Sequence, residues 1–445
     1  MISKTKMEKI LKEILEMSPA DQTEVLLISQ NSALTRFANN QIHQNVAEKN
    51  AKLSIRVIKN KRTGTASTNI LNKSSIKGVL EKALKIADNA SPDPDFKSLP
   101  KKKKCTKMEL FSKNTAEYQP IDRVKDVSVL ISKANQKELN AAGALSTGEI
   151  TIGIANSLGV FEITSLTEAD INTVFMSSNS SGYADSYAKE VRKIDFHKLA
   201  DTASEKALKS IDPIAIDPGS YTVILEPAAV ADMLTYLAFC GLGALAYQEG
   251  RSFLSGKLGE KITGGNITIW DDGTSPDTLG MPFDFEGTPK QKVMLIENGV
   301  AKNVVYDSYT AHKDGRESTG HALPAPNIYG PQPSNLFLKN GDYSVDEMIA
   351  STKKGILVTR FHYTNMEDPL KTMLTGMTRD GTFLIEDGEI SCGIKNLRFT
   401  QNILKALSNV EMISEETKLK QASFGFCLAP ALKVKDFNFT GVTEF

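Results

Sequence analysis

The chain of 445 residues contains only five histidines and four cysteines, the side chains best suited to bind zinc, and they lie far apart in the sequence. Three histidines, one cysteine and one aspartate of the C-terminal third are the best candidates to surround a metal ion together: His312, His321, His362, Cys392 and Asp380. Zinc sites usually include a pair of ligands roughly two to five residues apart, on one helix or in one tight loop. This set contains no such pair, so its spacing does not support a metal site.

The four cysteines are equally isolated and form no C-x-x-C pair: Cys105, Cys240, Cys392 and Cys427. This usage is typical of free thiols in a reducing compartment. The N-terminal segment MISKTKMEKILKEILEM has an amphipathic charge pattern and lacks the continuous apolar segment of a signal peptide. These two observations predict a cytoplasmic protein.

Other sequence signals of chemistry are missing. There is no G-x-S-x-G, no Walker motif and no G-x-G-x-x-G after a predicted strand. Lys and Arg together number 53, as do Asp and Glu, so the formal net charge is zero. A nucleic-acid-binding protein usually has a basic excess, and we therefore expect no nucleic-acid partner. The run Lys101–Lys104 is either an anion-binding site or a solvated charge run in a linker, and we favour the second.

The most apolar stretch of the chain, Tyr221–Gly259, indicates a central buried helix. Tyr221–Leu225 has the composition of a short buried strand, and Pro227 suits the first turn of a helix because its nitrogen carries no hydrogen. From Ala228 to Tyr247 the only charged residue is Asp232. A helix that is apolar on nearly every side belongs inside a domain. It is too short and too interrupted by glycine to cross a membrane.

This stretch begins a resemblance to the TldD/TldE (PmbA) family, whose members have been called modulators of DNA gyrase and peptide-maturation proteases. No single segment is specific, but five occur in the family's order. The first is the central helix itself. The other four are Gly250–Gly256 (GRSFLSG), Asp271–Thr274 (DDGT), Phe285–Thr288 (FEGT) and Leu295–Gly299 (LIENG). The resemblance covers most of the chain, strongly after about Pro218 and loosely before it.

The resemblance also identifies a missing metal site. In the catalytic TldD branch the central helix carries His-Glu-x-x-x-His, in which two imidazoles bind zinc and the carboxylate acts as general base. In this chain the corresponding positions are Thr235, Tyr236 and Cys240. The family's third ligand, a cysteine near the C-terminus, also lacks a counterpart, since Cys427 lies too near Pro430. The chain therefore resembles the TldE branch, in which the fold persists without the metal site.

Membership in that branch implies a role through a partner. It implies no catalytic residue and no metal in this chain, zinc in a TldD-like partner subunit, and unfolded or modified peptides as substrates, as in microcin leader removal. A heterodimer or a higher assembly would follow. We expect Arg251, Ser252 and Phe253, in the loop that leaves the central helix, to border the peptide cleft together with His321.

Two other interpretations remain open. One is a homodimeric peptide-binding protein without a partner subunit, and the other is a metallopeptidase or other hydrolase that uses unrecognised residues. Metal content would distinguish the second of these from the rest. A neighbouring gene that encodes His-Glu-x-x-x-His would favour a paired metallopeptidase. None of the three requires a membrane partner.

The elements that must position these residues predict an α+β fold with two domains. An N-terminal helix-plus-antiparallel-sheet domain is predicted at residues 1–217, with a linker at about residues 90–120. A C-terminal strand-rich mixed-sheet domain around the central helix is predicted at residues 218–445. Helical periodicity indicates helices at residues 3–17, 72–89 and 122–140, and Asp195 is a predicted helix N-cap.

Alternating apolar residues indicate strands in both predicted domains. In the N-terminal domain they fall at Thr23–Gln30, Ala33–Ala38, Gln41–Ala47, Lys52–Ile58, Gly64–Thr68, Glu149–Ala155 and Val160–Glu168. In the C-terminal domain two hairpins are predicted at Asn298-Gly299 and Asp387-Gly388, joining Lys292–Glu297 to Val300–Tyr306 and Thr382–Glu386 to Glu389–Leu397. Short helices are predicted at Ser344–Thr352 and Thr400–Leu407.

Overall fold

A six-stranded sheet with helices against it occupies the first part of the chain. The computed structural model describes residues 2–443. In chain order the elements of this part are α1 (Lys4–Met17), β1 (Gln22–Ala38), β2 (Gln41–Lys59), β3 (Arg62–Thr68), α2 (Lys73–Asn89), α3 (Lys113–Ala116), α4 (Pro120–Gln136), β4 (Asn140–Asn156), β5 (Phe161–Met176), β6 (Ser181–Ala188) and α5 (Phe196–Lys209). The strand order is β3-β2-β1-β4-β5-β6, and every neighbouring pair is antiparallel.

Helices α1, α2, α4 and α5 bury the apolar face of this sheet. Leu53, Ile55 and Val57 of β2 alternate with more exposed neighbours and pack under α1 and α2. Such alternation is what a sheet with one covered face requires. The helix predicted at residues 3–17 is confirmed, and so is the N-cap, since the Asp195 side chain accepts a hydrogen bond from the Lys198 amide at 2.9 Å.

The first two strands are longer than predicted. The polar residues Asn31 and Ser32 separate two predicted strands in the sequence, yet β1 runs through them without interruption. The reason is pairing on both sides, because Asn31 lies opposite Lys49 of β2 and Glu149 of β4. Neighbouring strands therefore override the weak local preference of these residues for a turn.

A second, mixed sheet occupies the rest of the chain. Its part of the chain contains β7 (Gly219–Leu225), α6 (Pro227–Gly241), α7 (Ala244–Gln248), β8 (Ile269–Asp271), β9 (Val293–Glu297), β10 (Val300–Ala301), α8 (Ser308–Lys313), β11 (Asn335–Leu338), α9 (Val345–Ala350), β12 (Lys354–Asp368), β13 (Met373–Glu386), β14 (Glu389–Gly393), β15 (Leu397–Asn402), α10 (Ile403–Ser408), β16 (Val410–Ala422) and β17 (Gly425–Val442). The main order is β10-β9-β8-β11-β17-β15-β13-β12-β7.

Strand β7 also pairs with β17, so the strands β17-β15-β13-β12-β7 form a closed circuit. Helix α6 packs against β12 and β17 of this circuit and against β16. Eleven of its residues are buried, as its apolar composition predicts. The predicted α+β class, with one antiparallel and one mixed sheet, is confirmed. The division at residues 217 and 218 stays a prediction.

The central helix ends earlier than predicted. It stops at Gly241, and a separate short helix follows from Ala244. The Val305 amide donates to the Leu242 carbonyl and the Ala244 amide donates to the Val305 carbonyl, both at 2.9 Å. Gly243 lies so close to the chain that a Cβ there would be 2.2 Å from the Pro331 carbonyl oxygen. A bridge to a distant segment therefore replaces helical bonding at this point.

The hairpin turns are confirmed, while the elements beside them differ from prediction. Asn298, Gly299, Asp387 and Gly388 all have positive φ, as tight two-residue hairpin turns require. The strand after Gly299 is only two residues long, and the predicted strand 389–397 is divided between β14 and β15. Thr400 lies in β15, so α10 begins only at Ile403. Within residues 2–443, the helices are too short or too polar to cross a membrane.

Candidate functional site

The segment predicted to stand in place of the zinc motif, Thr235–Cys240 (the motif segment), lies in the second half of α6, and its key side chains are engaged within the chain. The Thr235 hydroxyl donates to the Ala231 carbonyl of its own helix at 2.8 Å. The Tyr236 hydroxyl donates to the Thr364 carbonyl of β12. Cys240 is 4% exposed among apolar neighbours, and this burial raises the pKa of its thiol to about 12.

These residues do not fit a zinc ion. Zinc binds imidazole nitrogens, thiolates and carboxylates, but this segment offers a threonine, a tyrosine bonded to the main chain and a thiol that stays protonated at neutral pH. Across residues 2–443, no cluster of three or more His, Cys, Asp or Glu side chains has the arrangement that a metal ion needs. We therefore assign no zinc-dependent step to this chain.

The alternative ligand set is scattered. His312 lies on α8, and His362 lies on β12, where its ring packs edge-on against Tyr363 with centroids 4.7 Å apart. Asp380 accepts a hydrogen bond from Arg360 Nε at 2.7 Å, and Cys392 lies in β14. The structure does not bring these residues together around one point.

Three of the four predicted peptide-cleft residues are buried. Ser252 donates to the Gly241 carbonyl at 2.7 Å, and Phe253 packs beside the same glycine, so both hold the end of α6 in place. Arg251 is exposed and forms an ion pair with Glu249. Of these loop residues only Arg251 is placed to contact a ligand, and that contact remains a prediction.

His321, the fourth, belongs to a buried polar network. Its Nε2 lies 2.8 Å from Asp271 Oδ1, and its Nδ1 lies 2.9 Å from the Thr319 hydroxyl. Burial, together with nearby Lys290, lowers the pKa of His321, so the ring is neutral and donates to Asp271 through Nε2. The other oxygen of Asp271 accepts hydrogen bonds from the amides of Ser334 and Asn335, at 2.7 and 2.6 Å.

Asp271 is thereby held as a carboxylate in the interior. Burial alone would raise the pKa of Asp271, but His321, Lys290 and the Asn335 amide outweigh burial and keep this pKa below its ordinary value. Lys290 donates to the Ser334 hydroxyl at 2.6 Å, and burial lowers the pKa of its ammonium group. The first aspartate of the DDGT segment thus anchors the backbone of β11.

The FEGT segment joins the two sheets. Arg56 of β2 donates through Nη2 to Glu24 of β1 at 2.7 Å and to Glu286 of FEGT at 3.0 Å. All three side chains are largely buried, with 17% exposure for Arg56 and less for both glutamates. Glu286 also accepts a hydrogen bond from the Ser308 amide at 3.0 Å, at the start of α8. Residues 230 positions apart in the sequence are therefore held in one ion-pair cluster.

Two aspartates complete this junction. Asp284 accepts hydrogen bonds from the amides of Glu286, Thr288 and Ala322, each at 2.9 Å, and so shapes the FEGT turn. Asp307 caps α8 by accepting from the Thr310 amide at 2.8 Å. Burial, reinforced by nearby Glu286, raises the pKa of both aspartates above the ordinary value. The FEGT segment could be recognised in the sequence, but its contacts with Glu24 of β1 and Arg56 of β2 could not.

An exposed aromatic cluster borders the motif segment of α6. Phe239, between the second and third motif positions, lies near Tyr329 and Phe424, with ring centroids 5.8 and 6.2 Å away. Phe239 and Tyr329 are each more than two-fifths exposed, and neighbouring Ile328 is 79% exposed. This cluster was not predicted from the sequence. Its signal was an aromatic residue inside a motif, which only the tertiary structure joins to the other rings.

Comparison with known sequences gives two family matches. Residues 218–441 match the PmbA/TldA metallopeptidase C-terminal domain, and residues 23–87 match the PmbA/TldA metallopeptidase domain 1. A Methanothermobacter thermautotrophicus protein named "Metalloprotease" is 30% identical over 237 residues, which cover 52% of this chain and 50% of that protein. That match spans only half of the relative's length.

Two solved structures share the fold. TldE from Thermococcus kodakarensis superposes with a TM-score of 0.89 at 24% identity, covering 98% of this chain and 100% of that one. A Thermotoga maritima protein described as a candidate modulator of a DNA gyrase gives a TM-score of 0.88 at 21% identity, with 98% and 100% covered. At identities under 25% these likenesses establish the fold alone.

Proposed function

The chain belongs to the PmbA/TldD metallopeptidase family, and on this basis we propose that it is a non-catalytic, TldE-like subunit of a peptide-cleaving metallopeptidase. A TldD-like partner supplies the zinc and the general base. This chain binds peptide and completes the cleft, and both act in the cytoplasm on unfolded or modified peptides.

The observation that supports this proposal is that the motif segment has no side chains free to bind zinc. Thr235, Tyr236 and Cys240 are each used for hydrogen bonding or packing within the chain. A metallopeptidase needs three protein ligands and an open position for water, and this segment provides neither. A chain of this family without those groups can serve proteolysis only through another subunit.

The exposed surface beside that segment supports an interacting role. Phe239 and Tyr329 present aromatic rings to solvent beside half-buried Phe424, next to the positions where the catalytic branch holds its zinc ligands. Aromatic side chains are enriched at the centres of protein interfaces because they bury a large apolar area. This surface suits either the partner subunit or a peptide held between the two chains.

The test is reconstitution with the TldD-like counterpart from the same organism. Cleavage of an unstructured peptide is measured for each chain alone and for an equimolar mixture, and the mixture is analysed by size-exclusion chromatography with light scattering. We expect cleavage only in the mixture and a single eluting complex. A counterpart with its His-Glu-x-x-x-His glutamate changed to glutamine is the control that assigns the activity.

Two outcomes would contradict the proposal. If the counterpart is fully active alone and never elutes with this chain, the subunit role is wrong and a homodimeric peptide-binding protein becomes the better interpretation. If this chain alone cleaves the peptide in the presence of a chelator, it is a hydrolase with residues of another kind.

A further inference from the structure

Strand β5 has an edge that is only half covered. Strand β4 pairs with β5 along Phe161–Met176, whereas β6 reaches only as far as Ala169. Beyond that point the Thr167 amide donates to the Leu110 carbonyl at 3.0 Å, which shows that Thr167 faces this edge. Alternate residues of a strand point their main-chain groups to the same side. The amides and carbonyls of residues 161, 163 and 165 therefore face the same open edge.

Within residues 2–443, no main-chain or side-chain group bonds to the outward amides of Phe161, Ile163 and Ser165. An exposed row of such groups is a template for another strand, and proteins normally cover it or pair it. Here the outer edge of β5 has no strand partner along residues 161–165 in the described part of the chain.

The linker forms the opposite wall of a groove along this edge. It is held at one end where the Asn156 side chain donates to the Pro100 carbonyl at 2.8 Å, and at the other by the bond from Thr167 to Leu110. Between these points residues 101–109 have no regular secondary structure. The groove has a volume of about 1290 Å³, and the exposed Phe111 side chain contributes apolar surface to it.

The groove is strongly basic, although the whole chain has no net charge. Five lysines line it and two glutamates oppose them, Glu109 and Glu162. The lysines are Lys4, Lys102, Lys103, Lys104 and Lys107. All five side chains are exposed, and Lys103 forms a 3.0 Å ion pair with Glu317. The other four lysines outnumber the two groove glutamates, so the groove keeps a positive excess beside an unpaired strand edge.

We propose that this groove binds an extended, acidic peptide segment that adds a strand to the open edge of β5. Main-chain hydrogen bonds to residues 161–165 supply sequence-tolerant binding, and the linker lysines select Asp and Glu side chains. The proposal rests on the peptide-binding function given above and names the class of peptide. The groove shares no lining residue with the motif segment of α6, so it is a separate surface from the one proposed to face the partner.

A single-stranded nucleic acid fits these observations less well. It has no row of N–H and C=O groups to pair with a strand edge, and the best-known sites add stacked aromatic platforms. Of the two aromatic side chains that line the groove, Phe283 is buried and only Phe111 is exposed, so the groove offers a single ring and not a series of stacking platforms.

The test measures binding to this chain alone. The probe is a fluorescein-labelled, C-terminally amidated ten-residue peptide of alternating valine and glutamate, followed by anisotropy at low and high salt. The control peptide has lysine in place of each glutamate. We expect the acidic peptide to bind at least about tenfold more tightly than the basic one, and this preference to shrink with added salt.

Protein variants separate the two parts of the proposal. Lys102→Glu, Lys104→Glu and Lys107→Glu together should weaken the acidic peptide about tenfold and strengthen the basic one, since the charge complementarity is exchanged. Ile163→Pro removes one outward amide and leaves pairing with β4 intact, and it should weaken the acidic peptide roughly fivefold or more. Ile163→Ala, which keeps that amide, is the matched control and should have a smaller effect.

Equal binding of both peptides, or an Ile163→Pro variant that binds like Ile163→Ala, would overturn the proposal. Tighter binding of a ten-nucleotide oligothymidylate that displaces the acidic peptide would assign the groove to nucleic acid instead. If peptide binding is absent while the reconstituted pair still cleaves, only this inference fails. If the peptide binds but no partner-dependent cleavage occurs, the proposed subunit function fails and the groove stands.

Discussion

The two segments that the family resemblance singled out, the motif segment of α6 and FEGT, are used in different ways in this molecule. The motif segment of α6 has no His or Glu: the hydroxyls of Thr235 and Tyr236 donate to main-chain carbonyls of α6 and β12, and Cys240 joins the core. At the junction between the sheets the ionisable groups remain, and Glu286 is committed to Arg56 and to the backbone of α8. Neither segment has the open position that metal catalysis needs.

The difference shows that a shared polar motif can serve the fold as well as chemistry. A buried charge is tolerated when a partner and backbone donors surround it, but it is costly when either is missing. The junction satisfies this condition through residues from both sheets. The motif segment has no such partners, and its neutral residues avoid the cost. Substitutions that reverse these conditions should test the contrast directly.

The largest effect is expected from restoring the missing motif. The combined variant Thr235→His, Tyr236→Glu and Cys240→His would put unpaired polar groups into an apolar helix, and should lower the free energy of unfolding by roughly 3–6 kcal/mol. It should also gain no peptidase activity, because a third protein ligand is still absent. Urea unfolding followed by circular dichroism and a peptide-cleavage assay with added zinc measure both. Strong cleavage by the variant alone would refute this prediction.

The second-largest effect is expected from removing the cation of the ion-pair cluster that joins the two sheets. Arg56→Met would leave the carboxylates of Glu24 and Glu286 buried without their partner, and should lower the free energy of unfolding by roughly 3–5 kcal/mol. The matched control is Lys59→Met, on the same strand, whose ion pair with Asp88 is exposed and should contribute less than about 1 kcal/mol. Equal losses for the two variants would mean that the buried cluster does not join the sheets as described.

A smaller effect is expected from pH. Burial and nearby Glu286 raise the pKa of Asp307 from 3.8 to about 6. The folded state therefore holds this proton more tightly than the unfolded state, so the stability from this group is present at pH 4 and is lost as pH rises through about 6. Asp307→Asn keeps the cap on α8 and cannot titrate, and should reduce the stability difference between pH 4.5 and pH 8 by roughly 1–3 kcal/mol.

Chemical denaturation of both proteins at a series of pH values checks this prediction. The quantity to compare is the difference in unfolding free energy between the wild-type protein and Asp307→Asn at each pH. Asp284 and Glu24 also have raised pKa values, but both residues are present in the two proteins and their effects cancel. An unchanged pH profile in the variant would show that Asp307 stays ionised in the folded protein.

The smallest expected effect is the response to metal. The chain purified without a tag should contain no stoichiometric zinc, and a chelator should leave its melting temperature unchanged. The reason is that Cys240 is a protonated, buried thiol with no second ligand in the motif segment. Elemental analysis provides the test, and one tightly held zinc ion per chain would contradict the prediction.

The secondary structure was predictable where local pattern and local environment agree. Helix α1 and the turn at Asn298-Gly299 follow from spacing and from the φ preferences of a few adjacent residues. The long strands β12, β16 and β17 were missed, because their stability comes from pairing with neighbours far along the chain. The break at Gly243 was missed for the same reason, since its cause is the bridge to Val305.

The candidate site divides in a similar way. The family resemblance implied that Thr235, Tyr236 and Cys240 stand at the motif positions, and the structure adds how each side chain is engaged. The accessibility of Ser252 and His321 could not be read from sequence, because a small polar residue in a loop has the same local pattern whether it is solvated or buried. Burial is set by what packs over a segment.

The sequence by itself determined the residue types: the absence of His and Glu at the motif positions, the apolar nature of α6, and the neutral total charge. Only the tertiary structure decided which charges meet. Arg56 and Glu286 pair across 230 positions, and the linker lysines gather beside an open strand edge in a chain with no net charge. The physical reason is that identity and periodicity are local properties, whereas burial and charge pairing depend on distances that chain folding alone sets.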